Sequence, residues 1–177
     1  TQAVLPLQGK PLNAWKASAA RVEASPLYRQ LADALGTRSA IDPTPLPANG
    51  PRFGRLLLLF DPDADGVHIC ALLLLYLQRW MPGWLAQGRV RVVRAPMFSV
   101  AHPDHGTTYA WSPEHAQAIL RDWQADGALH RYLGLGSLPP EVLRRLCVDP
   151  ATRQSRTAGD EDIALVRQAF GLGAFAD

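Results

Sequence analysis

Short apolar runs alternate with longer apolar stretches along this chain. Residues 55–60 read Arg-Leu-Leu-Leu-Leu-Phe between turn signals, a pattern typical of a strand buried on both faces. Residues 67–80 are apolar over a helical length and are followed by Pro82 and Gly83. Similar patterns predict further strands at 89–94, 97–100, 107–111 and 129–132, and helices at 26–35, 113–126, 139–147 and 160–170. This alternation predicts an α/β fold with a largely parallel sheet flanked by helices.

The composition is that of an ordinary globular chain. Of its 177 residues 47% are hydrophobic and 19% charged, the net charge is +2, and no apolar run is long enough for a membrane helix. Two cysteines cannot form a disulfide framework, which favours the cytosol. The first residues lack an initiator Met and a signal-peptide pattern, so we expect a fragment of a longer protein. Four prolines within residues 41–54 predict a loop.

The most informative segment is Asp-Pro-Asp-Ala-Asp-Gly at residues 61–66. Asp61, Asp63 and Asp65 occupy alternate positions between a predicted strand and a predicted helix, so in extended backbone they share a face. Ligand sites in open α/β sheets lie beyond the carboxyl ends of the strands, where this cluster falls. Oxygen ligands of this kind suit a hard cation such as Mg²⁺.

Two other interpretations of the acidic segment use the same residues. A calcium-binding EF-hand loop needs Glu at its twelfth position and a preceding helix, whereas this chain has Leu72 there and a predicted strand before it, so that interpretation fails. The alternative that stays open is a solvated turn that caps the next helix without a metal, with Asp65 as the capping residue.

Several segments, in order along the chain, resemble the Toprim and tail region of the B subunits of bacterial type IIA topoisomerases. The aspartate motif is Asp-Pro-Asp-Ala-Asp-Gly-Val-His-Ile at 61–69. Downstream, Arg-Tyr-Leu-Gly-Leu-Gly at 131–136 and Asp-Pro-Ala-Thr-Arg at 149–153 resemble two further motifs of that family. Additional similar stretches lie at residues 1–13, at 81–82 together with 88–90, and at 95–98.

The resemblance implies a Toprim-type, Rossmann-like domain over residues 1–128, without its first, glutamate-bearing motif, and a small helical tail over 129–177. It implies that Asp61 and Asp63 are Mg²⁺ ligands with Asp65 as a supporting carboxylate. The partners it implies are double-stranded DNA and an A subunit that supplies the nucleophilic tyrosine. ATP is implied only for the full-length protein, and the location is the cytoplasm, on the nucleoid. Lys10, His68 and Arg131 are the expected DNA contacts.

The chain also departs from the family pattern. The family's catalytic glutamate lies upstream of the part that matches Thr1, so no catalytic residue is expected in this chain, which should not cut DNA alone. Gln8 and Cys70 stand where the family has basic residues, Leu133 replaces a Lys, and Ser137 replaces a Glu. The loss of cations would remove phosphate contacts. A degenerate Toprim-like domain with a structural or docking role is therefore the alternative to a cleavage–religation module.

Two further groups of residues have structural explanations beside functional ones. His68 at the start of an apolar helix fits a structural hydrogen-bond donor as well as a ligand-positioning group. His102 and His105, with Pro103 and Gly106 around them, are expected to form a solvated turn rather than a metal site.

Overall fold

The structure is a computed structural model that describes residues 2–37, 50–123 and 128–173. The helices within these ranges are α1 (Ala19–Ala24), α2 (Pro26–Leu35), α3 (Ala64–Trp80), α4 (Pro82–Ala86), α5 (Pro113–Asp122), α6 (Pro140–Leu143) and α7 (Asp160–Ala169). The strands are β1 (Leu56–Leu59), β2 (Val90–Val93), β3 (Phe98–His102), β4 (Gly106–Ala110), β5 (Ala128–Arg131) and β6 (Ser155–Thr157). Helices and strands are mixed along the chain, which confirms the predicted α/β class.

The chain forms two compact units, each made of separated segments. The first contains residues 1–57, 68–91 and 157–177, and the second contains 58–67 and 92–156. The family-based division at residue 128 stays a prediction.

The strands form two three-stranded sheets, in the orders β1-β2-β6 and β4-β3-β5. The second sheet differs from the predicted largely parallel arrangement, because β3 pairs antiparallel with both of its neighbours. Only residues 103–105 separate β3 from β4, and so short a link permits an antiparallel hairpin but not the long crossover that parallel strands need. Phe98 of β3 faces Ala110 on one side and Arg131 on the other.

Aromatic stacking and an apolar helix form the core of the first unit. Residues 72–77 of α3 are all buried, which explains why this helix is apolar on every side. The rings of Tyr28 and Tyr76 stack with centroids 4.0 Å apart. At the end of α3, the Arg79 guanidinium donates hydrogen bonds to the carbonyl oxygens of Ala14, Trp15 and Ala17. These bonds attach the segment before α1 to the helix.

In the second unit, α5 covers the antiparallel sheet. Phe98, Ala110 and Ala116 form a buried cluster with Met97 and Ile119 packed against it. Helix α5 begins as predicted after Ser112, whose hydroxyl oxygen accepts the His115 N–H at 3.2 Å.

Several element boundaries differ from the sequence expectation. The helix predicted at 139–147 is α6 followed by a π-helical turn at Arg144–Val148. The short elements α1, α4 and β6 were not predicted. Of the predicted loop at 41–54, residues 41–49 lie outside the described residues, and 50–54 are neither helix nor strand. Among the described helices, none is long and apolar enough to cross a membrane.

Candidate functional site

The acidic turn, residues 61–66, connects β1 to α3 and starts that helix. Asp63 is the residue before Ala64, and its Oδ1 accepts the Gly66 N–H at 2.7 Å, the usual N-cap bond. The capping interpretation therefore holds for Asp63 and not for Asp65, which lies inside the first helical turn. An acidic side chain in that turn is favoured by the partial positive charge of the helix N-terminus. The helix starts before the predicted residue 67, and the Asp63 side chain caps it by accepting the Gly66 N–H.

Gly66 fixes the path of the chain at Asp61. A Cβ atom at position 66 would lie 2.0 Å from the carbonyl oxygen of Asp61. Two backbone segments therefore touch where no side chain fits. The backbone of Asp61 rests directly on the first turn of α3.

A second segment holds the Asp61 side chain. We call residues 133–137 the glycine turn. Its Leu135 N–H donates to Asp61 Oδ1 at 2.6 Å, a short charge-assisted bond. A Cβ atom on Gly134 would lie 2.8 Å from the same Oδ1, so the carboxylate lies against the bare Cα of the glycine. The family resemblance singled out residues 131–136 and the Ser137 substitution, but it gave no contact with Asp61.

The donor set of the acidic turn fits Mg²⁺. Asp61, Asp63 and Asp65 line this turn, and the bonds above use one oxygen each of Asp61 and Asp63, leaving the second oxygen as an acceptor. Protein-bound Mg²⁺ commonly takes one or two carboxylates and completes its octahedron with water and phosphate oxygens. Across residues 2–37, 50–123 and 128–173, no group of three or more His, Cys, Asp or Glu side chains is placed to hold a metal ion. A cation at this turn would thus need further oxygen ligands beyond the carboxylates of these described residues, such as water or phosphate oxygens.

The three expected DNA contacts lie in different places. Lys10 is exposed in the first unit, directly after Gly9, whose φ is 76°. His68 of α3 is half-buried in the same unit, and its ring lies 5.5 Å from the ring of Phe170. Arg131 is exposed at the end of β5, in the second unit with the acidic turn, and the chain runs from it directly into the glycine turn.

The tyrosines are held in structural contacts. The Tyr28 hydroxyl donates to the Leu12 carbonyl oxygen at 2.5 Å, and burial raises the pKa of Tyr28 above its ordinary range. Burial also raises the pKa of Tyr76 to about 12. Tyr132 is buried with its hydroxyl on Ser99 Oγ at 3.1 Å, and Arg145 lies over the ring of Tyr109. A high pKa opposes formation of the tyrosinate nucleophile, so Tyr28 and Tyr76 are poorly suited to attack a phosphate.

The hairpin between β3 and β4 has an exposed turn at residues 103–105, as predicted, and the aromatic rings beside it pack together. The rings of His102 and His105 lie 4.7 Å apart, and both contact the ring of Trp123. The Asp104 N–H donates to His102 Nδ1 at 3.1 Å. This bond occupies one of the ring nitrogens that a metal would need.

The chain has relatives among bacterial topoisomerases. It is 34% identical over 156 residues to the B subunit of DNA topoisomerase 4 from Haemophilus influenzae, covering 86% of this chain and 24% of that protein. It is 33% identical over 172 residues to the B subunit of DNA gyrase from Metamycoplasma hominis, covering 96% of this chain and 26% of that protein. The chain thus spans about a quarter of the length of these curated relatives. No family model matches it.

A solved structure has a similar fold. The crystal structure of the Plasmodium falciparum topoisomerase II DNA-binding, cleavage and re-ligation domain superposes with a TM-score of 0.72 at 22% sequence identity. The match covers 93% of this chain and 23% of that one. At this identity the likeness concerns the fold alone, and it agrees with the predicted α/β class.

Proposed function

We propose that this chain, which is homologous to one region of the B subunits of DNA gyrase and topoisomerase IV, is the Mg²⁺-binding part of a DNA cleavage–religation module. In this proposal its substrate is double-stranded DNA, and an A subunit supplies the tyrosine nucleophile. ATP hydrolysis belongs to another region of the full-length protein, which acts in the cytoplasm on the nucleoid. Because the nucleophilic tyrosine comes from the A subunit in this proposal, the chain does not cleave DNA alone.

The observation that carries the proposal is the fixed position of Asp61. Its backbone rests on Gly66, which positions the main chain, and its Oδ1 accepts the Leu135 N–H, which orients the exposed carboxylate. An exposed aspartate that served only solubility would need neither contact. Preorganised ligands of this kind are what a cation site requires.

Each residue of the acidic turn has a distinct task in the proposed site. Asp61 and Asp63 would each offer the carboxylate oxygen that does not accept the Leu135 or Gly66 N–H, while Asp65 adds negative charge from the first turn of α3. Bound Mg²⁺ would orient the scissile phosphodiester and neutralise charge on its attacking and leaving oxygens. Arg131, at the exposed end of β5, is the proposed contact to a neighbouring DNA phosphate, and Lys10 and His68 are further proposed DNA contacts.

The test is calorimetric titration of the chain with Mg²⁺ and with Mn²⁺, beside an Asp61→Asn/Asp63→Asn double variant. Asn is as good an N-cap as Asp, and its side-chain oxygen can still accept the Leu135 N–H, so the change removes charge and keeps the hydrogen bonds. A matched control is Asp104→Asn, an exposed aspartate on the β3–β4 hairpin of the same unit.

We expect weak binding, in the millimolar range, that is lost in the double variant and kept in Asp104→Asn. Equal heats in the parent and the double variant, with thermal unfolding unchanged, would contradict the metal site. That result would favour the alternative of a degenerate Toprim-like domain with a docking role.

A further inference from the structure

The Ser137 hydroxyl makes every hydrogen bond that a hydroxyl can make. Its oxygen accepts the Leu133 N–H at 3.0 Å and the Gly134 N–H at 3.2 Å. Its O–H donates to the Gly134 carbonyl oxygen at 2.7 Å. One donor and two acceptor sites is the full capacity of a serine side chain. The hydroxyl therefore ties together the backbone on both sides of Gly134.

Leu135, the residue after Gly134, donates the hydrogen bond to Asp61. The Ser137 N–H also donates to the Gly134 carbonyl oxygen, at 3.0 Å, and the Leu138 N–H donates to the Leu135 carbonyl oxygen at 3.2 Å. The peptide that offers its N–H to Asp61 Oδ1 joins Gly134 to Leu135, so its orientation follows from the bonds on Gly134. Rotation of that peptide would move the donor away from the carboxylate.

We propose that Ser137 is a positioning residue whose hydroxyl locks the glycine turn so that the Leu135 N–H and the Gly134 Cα hold the Asp61 carboxylate in one orientation. The inference rests on the proposed function in one respect, namely that the oriented Asp61 carboxylate serves as a metal ligand. The hydrogen bonds that orient it are present without a metal. Ser137 does not contact the reacting groups itself and acts through the backbone of Gly134 and Leu135.

The chemistry of the side chain explains why serine matters here. An ionised Glu, the residue that the resemblance implies at this position, accepts hydrogen bonds but cannot donate one to the Gly134 carbonyl. Threonine keeps both functions, and alanine removes both. The serine thus removes a charge and also adds a hydrogen bond to the Gly134 carbonyl oxygen that an ionised Glu could not donate.

The test compares Ser137→Ala with Ser137→Thr and with Gly136→Ala. The Gly136 variant is the matched control, because a Cβ there meets no atom within 4 Å and leaves the hydroxyl in place. The first readout needs no metal: amide hydrogen exchange and the NMR shift of the Leu135 N–H, assigned to its carboxylate partner by the change seen in Asp61→Asn. The second readout is the affinity for Mg²⁺.

We expect Ser137→Ala to speed exchange of the Leu135 amide by about tenfold or more and to weaken Mg²⁺ binding by about tenfold, the lower end for outer-shell groups. Ser137→Thr and Gly136→Ala should match the parent in both. An unchanged Leu135 amide in a folded Ser137→Ala variant would overturn the positioning role, and so would an equal loss in Ser137→Thr. If the parent binds no Mg²⁺, the proposed function fails, while the amide readout still decides the role of Ser137.

Discussion

Replacing Gly66 with alanine tests how the acidic turn is built. In an ordinary helix the change from Gly to Ala gains about 1 kcal/mol. Here the added Cβ would lie 2.0 Å from the Asp61 carbonyl oxygen, 2.9 Å from its carbonyl carbon and 3.0 Å from its nitrogen. These are backbone atoms, so no side-chain rotation relieves the collision, and the turn or the helix start must move. Overpacking of this kind costs about 3 kcal/mol at the upper end of the usual range.

The net expectation for Gly66→Ala is a loss of about 2 kcal/mol in the free energy of unfolding, or a fall of about 4–8 °C in Tm for a chain of this size. The assay is thermal and urea unfolding followed by circular dichroism. The control is Gly83→Ala in α4, where the nearest atom to the added Cβ is Gln87 Nε2 at 3.8 Å, so that stability should hold or rise. A Gly66→Ala variant as stable as the parent would refute the close contact between Asp61 and α3.

Three further predictions follow from contacts described above. Asp63→Ala should lower the free energy of unfolding by about 1 kcal/mol through loss of the N-cap, while Asp63→Asn stays near the parent in urea denaturation; equal losses would argue against capping. Burial raises the pKa values of Tyr28 and Tyr76, to about 12 for Tyr76, because the folded state favours the neutral forms of both side chains. The free energy of unfolding should therefore be unaffected by these groups below the ordinary pKa of 10.0 and should fall as pH rises from 10.0 toward 12. Each of the two tyrosines contributes about 1.4 kcal/mol per pH unit to this fall. Urea denaturation from pH 10.0 to 12 measures this fall, and Tyr76→Phe should make it less steep. A parent protein whose stability stays constant over that range would contradict the prediction. Leu133→Lys, at a side chain 79% exposed beside the proposed site, should steepen the salt dependence of duplex binding, measured by fluorescence anisotropy, by about 1 in the logarithmic slope. The control Leu165→Lys, at a side chain 66% exposed on α7, should leave the slope unchanged, and equal slopes for the two variants would contradict a DNA phosphate at the glycine turn.

Local signals in the sequence predicted the regular elements well. Helix α2 begins at Pro26 and ends at Gly36, which has the left-handed φ of 67° that a C-terminal glycine supplies. Strand β1 and helix α7 also lie where their patterns indicated, within a few residues. The short elements α1, α4 and β6 carry too few residues for a clear period, and their formation depends on packing that the sequence does not display.

The sequence predicted which residues form the candidate site but not the contacts that hold them in place. The spacing of the three aspartates indicated the acidic turn, and the structure adds that Asp63 caps the helix. The contact between Asp61 and Leu135 joins residues 74 positions apart, and no local pattern encodes such a pairing. Gly66 and Gly134 both lie in segments that the sequence analysis singled out, yet only the fold shows that Asp61 lies against both.

The same separation of 74 residues sets an order of events when the chain is made. At a synthesis rate of roughly 5–20 residues per second, Leu135 is added roughly 4–15 s after Asp61. During that interval the nascent chain has β1, the acidic turn and α3, but it has no partner for the Asp61 carboxylate. Contacts between residues far apart in sequence also form late in folding, because a long loop must close first. The orientation of Asp61 is therefore acquired later than the acidic turn itself, and a ribosome that stalls before residue 135 leaves a product with all three carboxylates but without the Leu135 N–H that holds Asp61.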